Sequence, residues 1–156
     1  AAAALSFGAF HFLEQVKELD WKDYNEAQLQ QLRNEGKTVM VDFGAKWCVN
    51  CIVNYEVALN TATTREVMDE LGAVAMYADW TDPDEKIKQK RSELDSRSIP
   101  LLVIYPGDRS KAPIIMRDLV TQQAVVDALR QAGASISSSS LSFSARDQNV
   151  ATIAPQ

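Results

Sequence analysis

The chain has 156 residues, 46% of them hydrophobic, and a net charge of −5, which suits one domain with a real core and short appendages. It carries no long basic run, and phosphate neutralisation needs clustered Lys and Arg, so the composition argues against nucleic acid as a partner. Only two cysteines occur; both fall in one motif, which excludes a structural disulfide framework without fixing the redox compartment.

Residues 1–20 read as an N-terminal extension. Ala1-Ala2-Ala3-Ala4-Leu5 through Phe12 is apolar and rich in small residues. It suits the remnant of a signal-cleavage region or of a preceding membrane span, and equally a frayed terminus, since no basic region precedes it. No segment is long enough to span a membrane by itself. Asn25 to Glu35 predicts a short amphipathic helix stopped by Gly36. Thr38 to Gly44 predicts a strand buried on both faces. A helix is expected from Cys48 to about Leu59, and a further short one over Arg65–Leu71 capped by Thr63 or Thr64. Ala73–Ala78 predicts a second strand. Asp82-Pro83 predicts the cap and first turn of a charged helix running to about Asp95.

Leu101–Tyr105 predicts a third strand, Pro106-Gly107-Asp108 a turn, and Pro113–Met116 a fourth strand returning as a hairpin. Thr121 is the expected cap of a last helix ending at Gly133. From Ala134 to Gln156 the chain is serine-rich and loses its periodicity, the composition of a disordered tail. A βαβ unit followed by a hairpin and a closing helix gives an α/β sandwich, a mixed sheet with helices on both faces.

The chemistry concentrates at Trp47-Cys48-Val49-Asn50-Cys51. A strand leading into Cys-x-x-Cys at a helix start is the layout of a dithiol redox site. Unpaired N–H groups and the positive helix end favour a thiolate there, and the thiolate is the species that attacks disulfides. Cys48, at the junction, is the expected nucleophile. Cys51, one turn on, is the expected resolving thiol. Trp47 shields the site. A structural zinc site needs four ligands; the only histidine, His11, lies in the N-terminal extension, so no metal is expected. Haem attachment requires a histidine where Ile52 stands.

Asp42 interrupts an apolar strand six residues before Cys48. Buried, it would take the proton from Cys51 as that thiol attacks. Exposed at a strand end, or paired with Lys46 or Lys37, it would be structural, and both readings stand at this level. Pro100 opens a strand, where a trans Ile99-Pro100 bond is the ordinary case. The acidic run Asp79–Glu85 lacks calcium-loop spacing and reads as a turn with a helix cap.

These residues resemble the thioredoxin superfamily. Val41-Asp42-Phe43, Ala45, Trp47 and Cys48-x-x-Cys51 match its active-site region, and Ser98-Ile99-Pro100 its cis-proline loop. The C-terminal periplasmic domains of the DsbD family (thiol:disulfide interchange proteins) are a nearer match, through Trp47–Cys51, Asn54, Ala78-Asp79-Trp80-Thr81 and Ile99-Pro100-Leu101. The resemblance spans about residues 21–133. It implies a thioredoxin-like three-layer sandwich and a protein-disulfide reductase whose cofactor is its own Cys48–Cys51 disulfide. It also implies Asp42 as the buried proton acceptor, a cis Pro100 beside the sulfurs, and Ile99 offering backbone hydrogen bonds to a substrate strand.

The implied partners are proteins engaged through transient mixed disulfides, among them a membrane electron-donor domain and periplasmic thiol oxidoreductases. The implied location is the periplasmic side of an inner membrane, anchored or within a larger protein. A stand-alone thioredoxin-like reductase and a client-binding module without turnover are the alternatives. Lys46 stands where the family often has an acid and Tyr55 where it often has glutamate. Both departures remove negative charge near the dithiol and favour the Cys48 thiolate.

Overall fold

The computed structural model describes residues 18–136. Most of the N-terminal extension and of the serine-rich tail lies outside the described residues. Strand β2 (Val39–Gly44) is buried at every position and is the central strand of a five-stranded sheet. The strands are β1 (Trp21–Asp23), β2, β3 (Val74–Asp79), β4 (Leu101–Tyr105) and β5 (Ile114–Arg117), in spatial order β1-β3-β2-β4-β5. β3 runs parallel to both β1 and β2, while β4 is antiparallel to β2 and to β5. The expected mixed sheet and its hairpin are therefore present.

Alternation along β2 sorts its side chains between two helical layers. Val39, Val41 and Phe43 pack with Leu29 of α1 (Glu26–Asn34), Ile87 of α4 (Glu85–Glu93), and Leu101 and Val103. Met40 packs on the other face, with Leu59, with Met68 of α3 (Ala62–Leu71), and with Val125 and Leu129 of α5 (Gln122–Ala132). Asp42 and Gly44 share the parity of Met40. They therefore lie under α2 (Val49–Asn54), the helix that starts at the cysteine motif. Parity in one strand thus places the carboxylate on the dithiol side of the sheet.

Several element boundaries differ from the sequence expectation. The expected helix from Cys48 to Leu59 is α2 followed by a π-helical turn, Tyr55–Leu59, closed by the Asn60 N–H donating to the Tyr55 carbonyl at 2.8 Å. The cap of α3 is Thr61, whose hydroxyl accepts the Thr64 N–H, rather than Thr63 or Thr64. Thr64 instead lies buried one turn inside and donates to the Ala58 carbonyl at 2.6 Å. The cap of α4 is Asp84 rather than Asp82: its carboxylate accepts the Lys86 and Ile87 N–H groups at 2.8 and 3.0 Å. That register buries Ile87. Thr121 caps α5 as expected, whereas Asn25, expected as the first residue of its helix, is the cap of α1, its side chain accepting the Gln28 N–H.

The first residues past Gly133 are tied to the domain. Ser135 accepts the Thr38 N–H and donates to the Gly72 carbonyl, and the Ile136 N–H donates to Gly36. Gly36 has φ +76°, and a Cβ there would stand 2.5 Å from the Ile136 carbonyl oxygen. Only glycine fits that turn. This closes the end of the sheet opposite the cysteines.

Candidate active site

Cys48 and Cys51 form a disulfide, with Cα atoms 5.2 Å apart. Cys48 is the N-cap of α2, and its sulfur accepts the Cys51 backbone N–H at 3.2 Å. That donor would bear directly on a thiolate at Cys48 once the bond is reduced. Both sulfur-bearing residues are buried, in a cluster with Ala45 against which Trp80 and Ile99 pack.

Trp47 stands at the rim, 62% exposed. Its indole donates to the Thr81 carbonyl at 3.1 Å, while the Thr81 hydroxyl accepts the Lys46 N–H at 3.0 Å. Thr81 is held in turn by the Asp79 carboxylate, which takes both its N–H and its hydroxyl. Those two bonds, the hydroxyl first, hold the Asp79 carboxyl below its ordinary range. The acidic segment is thus a turn that fixes Trp47, followed by the α4 cap. Arg91 lies 4.3 Å over the Trp80 ring, backing it from α4.

Asp42 is 3% exposed. Among the described residues its carboxyl has neither an ion-pair nor a hydrogen-bond partner, so the exposed strand-end and Lys-paired readings do not hold. Burial pushes its carboxyl up to about 7, because a charge removed from water without compensation favours its neutral form. Asp42 and Cys51 open onto one cavity of about 430 Å³, walled by Trp21, Tyr55 and Tyr77 with Lys46 at its lip. Gly44 makes this approach possible: a Cβ there would meet the Tyr77 ring and hydroxyl at 3.2 Å and the Cys51 Cβ at 3.4 Å. Burial, followed by the Asp79 and Asp42 charges, pushes the Tyr77 hydroxyl up to about 12.

Pro100 is buried and its peptide bond with Ile99 is cis. Among the described residues the Ile99 backbone groups take no hydrogen bond. The structure therefore brings Cys48, Cys51 and Ile99 into one cluster, joins Asp42 to Cys51 through the cavity, and leaves Trp47 outward at the rim. The sequence reading did not anticipate the cavity walls Trp21 and Tyr77 or the Thr81 cradle. The signal for the cradle was the Asp-x-Thr turn itself. Among the described residues no group of His, Cys, Asp and Glu could hold a metal ion.

A profile described as thioredoxin-like matches residues 20–107. The chain belongs to the thioredoxin-like family. Solved structures with the same fold include the C-terminal domain of DsbD from Neisseria meningitidis in its oxidised form, with a TM-score of 0.56 at 18% identity over 69% of this chain and 95% of that one. A thioredoxin from Thermus thermophilus gives 0.55 at 20% identity, over 74% and 87%. Chloroplastic thioredoxin z gives 0.51 at 20%, over 71% and 92%. No curated protein sequence matches the chain. At these identities the structural likeness is one of fold. A thioredoxin-like domain carrying a Cys-x-x-Cys disulfide at the start of α2 is the equipment of a thiol–disulfide oxidoreductase.

Proposed function

We propose that this thioredoxin-like chain is a protein-disulfide reductase acting as the electron-relaying domain of a DsbD-like system on the periplasmic side of an inner membrane. The observation that carries the exchange chemistry is the Cys48–Cys51 disulfide at the start of α2, with the unpartnered Asp42 carboxyl in the cavity beneath Cys51. In the reduced protein, the Cys48 thiolate attacks one sulfur of a substrate disulfide. A mixed disulfide forms and the first substrate thiolate leaves. Cys51 passes its proton to the Asp42 carboxylate and attacks the Cys48 sulfur. The internal disulfide closes and the second substrate thiolate leaves. Two electrons have then moved from the dithiol to the substrate, and a partner dithiol restores the starting state by the reverse exchange. An acceptor near 7 suits this transfer, since a general base works best close to the operating pH.

The relay assignment is supported by Trp47–Cys51, Asn54 and Ala78–Thr81, and by the fold shared with DsbD C-terminal domains. The natural partners on this reading are a membrane electron-donor domain and periplasmic thiol oxidoreductases, met through Trp47 and the Ile99-Pro100 backbone. No cofactor beyond the disulfide is required. Trapping with Cys51→Ala tests it. Mixed disulfides through Cys48 should accumulate with periplasmic thiol oxidoreductases, and Cys48→Ser should abolish both trapping and turnover. Capture of a broad set of unrelated disulfide proteins would favour a stand-alone reductase. Full activity in Cys48→Ser would end the redox reading.

A further inference from the structure

Asn54 takes no part in the exchange chemistry, yet among the described residues it is one of the few buried polar side chains, 2% exposed. It lies three residues after Cys51 on α2, one helical turn along the same face. Its amide reaches across the fold to the segment between β5 and α5. The amide nitrogen donates to the Asp118 carbonyl at 2.8 Å, and the amide oxygen accepts the Val120 N–H at 3.0 Å. The two bonds grip the backbone on either side of Leu119, whose side chain is turned out to solvent, 57% exposed. Asp118 has φ +61°, a left-handed backbone that aspartate tolerates better than most side-chain-bearing residues and that turns the chain sharply here. Its own N–H donates to the Pro100 carbonyl at 3.2 Å. One peptide segment is thus fastened at once to the dithiol helix and to the proline that immediately precedes β4.

We propose that Asn54 is a positioning residue. Its amide fixes the 118–120 segment and Pro100 in register with the disulfide, and so sets affinity for a protein substrate without altering the reactivity of the sulfurs. A carboxamide meets the requirement because its NH2 donates and its carbonyl oxygen accepts whatever the pH. An ionised aspartate at this position would keep the acceptor for Val120 and lose the donor for Asp118; a leucine would lose both and leave two backbone groups unpaired. The proposal rests on the exchange activity proposed above.

The test compares Asn54→Leu and Asn54→Asp with the unaltered chain. Insulin serves as a protein disulfide with dithiothreitol as reductant, and dithiobis-nitrobenzoate as a small disulfide that needs no docking surface. Two lost bonds should raise KM for insulin about tenfold in Asn54→Leu, and less in Asn54→Asp. Turnover number, dithiobis-nitrobenzoate rate and reduction potential should stay as they are. An unchanged KM, or a dithiobis-nitrobenzoate rate that falls in step with the insulin rate, overturns the proposal. Hydrogen exchange at the Val120 amide of the unaltered chain decides the clamp even where a variant fails to fold. Protection comparable to the α2 amides supports it, and exchange at the rate of an open loop overturns it. If the unaltered chain reduced no disulfide, the functional reading would fall while the Val120 amide still reported on the clamp.

Discussion

Val39, Val41 and Phe43 of β2 face α1 and α4, whereas Met40 and Asp42, between them, face α2, α3 and α5. The first layer packs apolar side chains around Phe43, which touches the Tyr24 ring with centroids 5.6 Å apart. The second layer, at the level of Asp42, holds an unpaired carboxyl, a cavity, a π-helical turn and a buried amide. One short strand therefore supports a layer whose work is cohesion and a layer whose work is chemistry. The incomplete packing on the second layer serves its chemistry, because a carboxyl near 7 and a reachable sulfur both need it.

The comparison predicts opposite consequences for neighbouring residues. Phe43→Ala removes a wholly buried ring and leaves a cavity, which should cost about 3–5 kcal/mol of unfolding free energy. Asp42→Asn should do the reverse. In the folded chain the Asp42 carboxyl keeps its proton up to about 7, whereas in the unfolded chain it loses it near 4. Between those values the native state binds more protons. Stability therefore falls as pH rises through that window, and the loss is complete above about 7. Asp42→Asn should remove this slope and stabilise the oxidised protein by about 4 kcal/mol at pH 8, with little effect at pH 3.

The same variant should slow closure of the mixed disulfide by about a hundredfold near pH 7, because Cys51 loses its acceptor. Urea unfolding at several pH values, with quench-flow trapping of the mixed disulfide, measures both. A pH-independent difference in stability between the unaltered chain and the Asp42→Asn variant would mean that the two faces do not differ in the way described.

Much of this was legible in the sequence. The apolar run into Trp47–Cys51 announced the central strand and the dithiol, and the turn at Pro106–Asp108 announced the hairpin. β1 was not legible, because three residues, Trp21–Asp23, are too few for a period-two signal. The caps Thr61 and Asp84 were misplaced by two or three positions because each sits among other competent caps. The choice was made by which register buries Val67 and Met68 in one case and Ile87 in the other. The burial of Asp42 and the clamp of Asn54 depend on contacts from β3 and from the β5–α5 segment, far away in sequence. Strand parity could name the face of Asp42, but it could not show what would meet it there.

The smallest predicted effect concerns the open edge of the chemical layer. Lys46 is exposed at the lip of the cavity, and its backbone N–H is tied to Thr81. Its ammonium is a positive charge that solvent screens over roughly 8 Å at physiological salt. Lys46→Asp reverses that charge without touching a packed contact. It should raise the pKa of the Cys48 thiol, since a nearby negative charge disfavours a second one, and the increase should shrink in high salt. Thiolate absorbance titrated at low and high ionic strength measures it. An unchanged or lower pKa at low salt would show that the Cys51 N–H and the helix start outweigh the surface charge. A shift that persisted in high salt would mean that the cavity shields Lys46 from solvent more than its exposure suggests.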